Sequence, residues 1–160
     1  MNRYCVIVVF MTLIGCESPN PTAGFPPVPV SKDMVRVDPG PVDSDAPEEF
    51  TTTESGLKYR IRRASDGKKP TAKNTVRVHY RGTLDDGKTF DSSYGKTGGA
   101  ITFPLSGVIK GWTEGLQLIG EGGMIELKIP SELGYGKVGI SGTIPPDATL
   151  HFIVELLEVK

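Results

Sequence analysis

Four segments of the chain alternate apolar and polar residues with a period of two, and this pattern limits the fold more than any other feature. Because side chains along a strand point to opposite faces of a sheet, each segment predicts a strand with one buried face. Asp85-Asp86-Gly87-Lys88 follows one of these runs and predicts a hairpin turn. The apolar positions are Leu57, Tyr59 and Ile61; Val76, Val78 and Tyr80; Ile125, Leu127 and Ile129; and Leu150, Phe152, Val154 and Leu156.

One segment has a helical period instead. Ile109, Trp112, Leu116 and Ile119 are spaced as one face of a short helix, which Gly120 would close. A single helix among antiparallel strands predicts an α+β domain, in which an antiparallel sheet of about five strands wraps on one short helix.

The composition of the chain changes near residue 50. Residues 17–49 hold seven acids, two bases and eight of the thirteen prolines, whereas residues 50–160 hold fifteen bases and twelve acids. A segment so rich in proline and acid predicts a disordered linker over 16–49, followed by a folded domain over 50–160. The formal net charge of -1 gives no case for nucleic-acid binding.

The first sixteen residues predict an export signal. The apolar run from Cys5 to Ile14 follows Arg3 and is about ten residues long, which suits a signal peptide and is too short to cross a bilayer. Leu13-Ile14-Gly15-Cys16 resembles the lipobox of bacterial lipoproteins. The resemblance implies removal of residues 1–15 and a lipid on Cys16. The protein is then expected in the cell envelope, anchored to a membrane through that lipid and facing the periplasm or the exterior. A buried helix of the domain and an ordinary secretory signal are the alternatives.

The domain has no residue pattern typical of covalent or metal catalysis. Both cysteines, Cys5 and Cys16, lie in the first sixteen residues, so neither a disulfide framework nor a thiolate metal site is expected in the domain. We also find no Ser-His-Asp set, and His79 and His151 are isolated in the sequence. We therefore expect no metal and no cofactor.

Five separated blocks of the domain resemble the FK506-binding family of peptidyl-prolyl cis-trans isomerases, in the family's order and spacing. They cover residues 50–160 and imply the fold of that family. The blocks are Val78-His79-Tyr80-Arg81-Gly82-Thr83-Leu84; Asp86-Gly87-Lys88-Thr89-Phe90-Asp91-Ser92-Ser93; Val108-Ile109-Lys110-Gly111-Trp112-Thr113-Glu114-Gly115-Leu116; Gly134-Tyr135-Gly136; and Ile144-Pro145-Pro146-Asp147-Ala148-Thr149-Leu150.

The resemblance implies that the domain rotates Xaa-Pro bonds in an aromatic pocket and so assists the folding of extracytoplasmic proteins. Trp112 would lie under the proline ring, and Asp91 would place a carboxylate near the twisting amide. The Ile109 N–H and the Tyr135 hydroxyl would hold substrate carbonyls. The implied catalytic residues are Asp91, Tyr135, Phe90 and Trp112, and the implied substrate-binding residues are Tyr80, Val108, Ile109, Ile144, Phe152 and Ile101.

The same resemblance implies the binding partners of the domain. They are proline-containing polypeptide segments and, as candidate ligands of the pocket, macrolides such as FK506 or rapamycin. Some membrane-linked members carry an N-terminal helical dimerisation region. Residues 17–49 show no helical period, so we expect a monomer.

Two positions depart from the family pattern, and two other functions stay open. Ile101 stands where an aromatic residue is usual, and Ile140 stands where some members carry histidine, so we expect an altered pocket rim. A module that binds proline segments without turnover is one alternative. A general chaperone is the other, although Gly136–Ile144 is too short to hold an inserted domain.

Overall fold

The computed structural model describes residues 36–95 and 99–160. The predicted signal peptide, Cys16 and the first part of the predicted linker lie outside these residues. Within them, the structure contains no helix that has both the length and the apolar character needed to span a bilayer.

The described residues form a single antiparallel sheet with one short α-helix, which confirms the predicted α+β class. The strands are β1 (Thr51–Thr52), β2 (Lys58–Arg63), β3 (Thr75–Thr83), β4 (Thr89–Ser92), β5 (Ile101–Pro104), β6 (Met124–Ile129) and β7 (Leu150–Val159). The sheet order is β1-β2-β6-β7-β3-β4, and β5 also pairs with β3. The described strands number seven rather than about five, because β1 has two residues and β5 four, too short for a visible alternation.

The helix α1 (Lys110–Gly115) lies close against β6 because two of its residues have no side chain. A Cβ added to Gly111 would lie 2.6 Å from Cγ2 of Ile129, and one added to Gly115 would lie 2.6 Å from Cδ2 of Leu127. The helix is shorter than the sequence predicts. Its α-helical part ends at Gly115, and a 3-10 turn over Leu116–Leu118 follows it.

The core lies between α1 and the face of the sheet that carries the predicted apolar positions. Strand β3 is central, because it pairs with β7 along most of its length and with both β4 and β5 on its other side. The buried side chains of the core include Leu57, directly before β2, and the strand residues Val76, Val78, Ile125, Leu127, Ile129, Leu150, Val154 and Leu156.

Residues 36–49 differ from the prediction of a disordered linker, because the structure places them against the domain. Residues 36–49 belong to the same compact unit as the described residues of the domain. The Asp43 N–H donates to the Arg62 carbonyl at 2.9 Å, and the Asp43 carboxylate accepts from the Ala64 N–H at 2.7 Å. The Gly40 N–H donates to the buried carboxylate of Glu155 at 3.0 Å. The prolines and acids of this segment predict an extended chain, and the extended chain finds partners on β2 and β7.

We predict that a protein beginning at residue 50 is less stable than one beginning at residue 33. The shorter protein lacks Arg36 and Gly40, so the Glu155 carboxylate loses two of its four hydrogen-bond donors. Loss of partners to a buried charge costs on the order of 2–3 kcal/mol. Urea unfolding of both proteins measures the difference, and equal midpoints with equal slopes would show that residues 33–49 are only a spacer.

Candidate functional site

A cavity of about 410 Å³ lies on the helix side of the sheet and contains nearly all the predicted site residues. This volume falls in the range of small-ligand pockets. Nine of the ten predicted residues line it, and Ile144 is the exception. The lining residues are Tyr80, Phe90, Asp91, Ile101, Phe103, Gly107, Val108, Ile109, Trp112, Tyr135 and Phe152.

Aromatic rings form the walls and floor of the cavity. Trp112 is 5% exposed and lies edge-on to both Tyr80 and Phe152, with ring centroids 5.2 and 5.1 Å apart. Phe90 meets Phe152 edge-on at 5.5 Å. Edge-to-face contact suits the ring quadrupoles, so the rings hold each other in place. The result is a concave surface with few hydrogen-bonding groups.

Gly82 allows these walls to approach the sheet, and sequence reasoning did not single it out. A Cβ at this position would lie 2.6 Å from Cε1 of Phe152 and 2.6 Å from Cζ of Phe90. Both rings therefore pass over the strand where a side chain is missing. A glycine inside an alternating strand is the signal that could have indicated a close approach.

Hydrogen bonds from Tyr80 and Ser92 orient Asp91 at the edge of the cavity. The Tyr80 hydroxyl donates to one carboxylate oxygen, and the Ser92 N–H donates to the other at 2.8 Å. Burial raises the pKa of Tyr80, and the hydrogen bond and charge of Asp91 raise it further, so the phenol stays protonated at neutral pH. Asp91 is thus a carboxylate of fixed orientation beside apolar rings.

Tyr135 reaches the same cavity from the loop after a 3-10 turn, Ser131–Leu133. The Gly136 N–H donates to the Ser131 carbonyl at 2.8 Å, and the Asp147 N–H donates to the Gly136 carbonyl at 3.0 Å, which ties the loop down. Tyr135 is 39% exposed. Burial of its hydroxyl raises the pKa of Tyr135, as does the charge of Asp91, so the hydroxyl remains a donor.

The Ile109 N–H supplies a second donor. Ile109 precedes α1, and its carbonyl accepts from the N–H groups of Trp112 and Thr113. Its own N–H has no acceptor among the described residues. An N–H at the cavity wall without a protein partner is able to bind a ligand carbonyl.

Two residues at the rim differ from what the sequence predicts. Phe103 lines the cavity beside Ile101, because both lie on one face of β5 in its pairing with β3. An aromatic ring is therefore present at this edge, two residues after the predicted position. Ile144 is 4% exposed, packs in the core and borders a separate groove lined in part by the 138–146 loop. It does not line the cavity.

The described residues offer no cluster of His, Cys, Asp or Glu side chains able to hold a metal ion. The described side of the cavity presents apolar rings, one oriented carboxylate and two hydrogen-bond donors. Such a set is able to bind and orient an amide.

Comparison with known proteins agrees with this geometry. The family model described as FKBP-type peptidyl-prolyl cis-trans isomerase matches residues 66–157. The chain is 54% identical over 109 residues to the FKBP-type peptidyl-prolyl cis-trans isomerase FkpA of Escherichia coli strain K12. The matched region covers 68% of this chain and 40% of FkpA. It is 48% identical over 112 residues to the FKBP-type 22 kDa isomerase of the same strain, covering 70% of this chain and 54% of that protein.

Solved structures show the same fold. The crystal structure of Escherichia coli FkpA superposes with a TM-score of 0.68 at 51% identity, over 71% of this chain and 53% of that one. The crystal structure of AtFKBP13 superposes with a TM-score of 0.64 at 35% identity, over 70% of this chain and 99% of that one. This chain spans about half the length or less of the curated relatives it matches. The matched region contains the whole cavity, and the chain belongs to the family of FKBP-type peptidyl-prolyl cis-trans isomerases.

Proposed function

We propose that this protein catalyses cis-trans isomerisation of Xaa-Pro bonds in extracytoplasmic polypeptides as they fold. The observation that carries the proposal is the cavity itself, in which edge-to-face aromatic rings surround Asp91 at a site with two further hydrogen-bond donors.

The physical requirement of the reaction is modest. Rotation about a peptide bond has a barrier of ~18–20 kcal/mol, because twisting destroys amide resonance. For an Xaa-Pro bond the cis and trans forms differ by only about 0.5–1 kcal/mol, so an enzyme need only stabilise the twisted state. The planar amide is more polar than the twisted one and is better solvated by water. A cavity lined by apolar rings therefore binds the twisted state preferentially, without a covalent intermediate.

The residues of the cavity divide this work. The Trp112 indole lies at the bottom of the cavity and offers its surface to the proline ring, and the rings of Tyr80, Phe90 and Phe152 exclude water around it. The Ile109 N–H and the Tyr135 hydroxyl bind carbonyls of the substrate on either side of the bond. The Asp91 carboxylate, oriented by Tyr80, acts on the dipole of the twisting amide, where a fixed charge beside apolar walls has a larger effect than it has in water.

Catalysis is tested with three variants whose effects should differ. Asp91→Val and Tyr135→Phe remove polar groups that act on the twisted amide, so each should lower kcat/KM for proline peptides roughly ten- to hundredfold, or ~1.4–2.8 kcal/mol. Binding of a macrolide such as FK506 should weaken less. Trp112→Leu removes area that the proline ring contacts in both states, so macrolide affinity and kcat/KM should fall together.

The measurement is a coupled isomerisation assay on tetrapeptides with varied residues before proline. Tyr59→Phe, which removes a hydroxyl on β2 outside the cavity, is the matched control. A folded wild-type protein that binds proline peptides without accelerating their isomerisation would indicate a binding module. Wild-type rates in Asp91→Val would leave water exclusion by the rings as the main source of catalysis.

We also propose that the mature protein is a monomer anchored in the cell envelope through a lipid on Cys16. The apolar run before Leu13-Ile14-Gly15-Cys16 supports this proposal, as does the absence of a helical period in residues 17–49. The anchor would hold the isomerase domain at a membrane surface that faces the periplasm or the exterior, where exported chains fold.

Cys16→Ala should release the protein from membranes or block its processing, because the thiol is the group that accepts the lipid. Fractionation of cells and mass measurement of the purified protein test the change, with Cys5→Ala as the control. We expect Cys5→Ala to behave as wild type, since residues 1–15 are removed. A Cys16→Ala protein that stays membrane-bound with the wild-type mass would rule out the lipid anchor.

A further inference from the structure

A fully buried carboxylate lies behind the cavity, on the face of the sheet that does not pack against α1. Glu155 of β7 is 0% exposed, and it pairs in register with His79 of β3 and Met124 of β6. The next residues along each strand, Tyr80 and Val154, belong to the core on the other face. Glu155 does not line the cavity, so the site as described gives no reason for this buried charge.

Four hydrogen bonds satisfy this carboxylate, two on each oxygen. The Tyr94 hydroxyl donates to one oxygen at 2.7 Å and the Gly40 N–H donates to it at 3.0 Å. Arg63 donates to the other oxygen at 2.8 Å and Arg36 at 3.1 Å. Burial alone would raise the pKa of Glu155, but these donors and the charge of Arg36 outweigh it and lower the pKa, so the group is ionised at neutral pH.

The four donors come from three separate parts of the chain. Arg36 and Gly40 belong to the N-terminal segment, Arg63 ends β2, and Tyr94 lies in the loop that leaves β4. The N-terminal segment also contacts that loop directly, because the Gly95 N–H donates to the Arg36 carbonyl at 2.8 Å. Glu155 and Arg36 together therefore fix the first residues of the β4–β5 loop.

That loop begins at Ser93, because β4 ends at Ser92, the residue after Asp91. Between Asp91 and Tyr94, the Tyr94 N–H donates to the Ser92 hydroxyl at 3.1 Å, and the Ser92 N–H donates to the Asp91 carboxylate. The Ser93 hydroxyl accepts from the Tyr80 N–H at 2.9 Å. Tyr80 is the residue whose hydroxyl donates to Asp91. A continuous set of hydrogen bonds thus joins the buried carboxylate to the residue at the cavity edge.

His79 of β3 also contacts the start of this loop. Its ring stacks on the Tyr94 ring with centroids 5.2 Å apart, and its Nδ1 lies 3.1 Å from the Ser93 hydroxyl. The ring of Tyr94 is therefore held by its face as well as by its hydroxyl, which leaves the loop little freedom to shift.

We propose that Arg36, Glu155 and Tyr94 are positioning residues for the isomerase site, which hold the chain after Asp91 so that its carboxylate keeps its orientation toward the cavity. The N-terminal segment is then part of the catalytic unit and more than a tether. This inference rests on the proposed isomerase function, and it concerns residues outside the cavity.

The test uses the full chain with two small changes. Tyr94→Phe removes one hydroxyl and keeps the stacking on His79, and Arg36→Gln removes one donor to Glu155. Each should lower kcat for proline peptides about three- to tenfold with KM little changed, because substrate contacts remain. The matched control is Arg60→Gln. It breaks the 2.7 Å ion pair between Arg60 of β2 and Glu126 of β6, and with it a hydrogen bond to the Glu48 carbonyl, but it touches neither Glu155 nor Arg36 nor the β4–β5 loop. Its kcat and KM should stay within twofold of wild type.

A double-mutant cycle separates positioning from a general loss of structure. In an Asp91→Asn background, the Tyr94→Phe change should lower kcat by less than twofold, since the group that Tyr94 orients has already lost its charge. Exchange NMR on a proline peptide at high enzyme concentration measures the slow variants. A folded Tyr94→Phe protein with wild-type kcat, or an undiminished effect in the Asp91→Asn background, would overturn the proposal.

A readout without turnover keeps this inference distinct from the proposed function. The carboxyl carbon of Asp91, observed by NMR in the protein without substrate, should change its chemical shift in Tyr94→Phe and Arg36→Gln but not in Arg60→Gln. If the wild type is not an isomerase, the proposed function fails while this measurement still reports on the position of Asp91. An unchanged shift in a folded Tyr94→Phe protein would refute the positioning role.

Discussion

The pairing of β3 with β7 is the constraint on which both faces of the sheet depend. It joins residues about seventy positions apart in the chain, with Tyr80 opposite Val154 and His79 opposite Glu155. Neighbouring residues of a strand point to opposite faces of the sheet. In each strand, one of two neighbouring residues therefore lies on the cavity side and the other on the opposite side. One face supplies the aromatic cavity, and the other buries a carboxylate. A one-residue shift in this register would exchange the two and destroy both.

Missing side chains determine how closely the elements approach. Gly111 and Gly115 bring α1 onto β6, and Gly82 lets Phe90 and Phe152 lie against β3. In each place a Cβ would lie 2.6 Å from the neighbouring carbon, which real side chains do not tolerate. The close approach brings Trp112 edge-on to the rings of Tyr80 and Phe152, and these three rings line the cavity.

Two carboxylates illustrate how environment assigns a role. Glu155 is fully buried with four donors, so its charge is fully satisfied by hydrogen bonds and is suited to holding the structure together. Asp91 is half-buried at the edge of an open cavity and receives hydrogen bonds from Tyr80 and Ser92. A charge in that position is fixed in direction and still faces the space where an amide would lie. The proposed positioning set links the first carboxylate to the second.

The sequence by itself determined the four longest strands, the presence of one helix and nine of the ten expected cavity residues, because alternation and short motifs are local properties of the chain. It did not reveal Phe103 at the rim, the inward packing of Ile144 or the end of the helix at Gly115, which depend on how neighbouring elements meet. The clearest case is the N-terminal segment. Its prolines and acids predict a spacer, yet Arg36 bonds with a carboxylate 119 positions further along the chain. Only tertiary packing determines such a contact. The Glu155 carboxylate needs hydrogen-bond donors from the protein because the fold has buried it away from water.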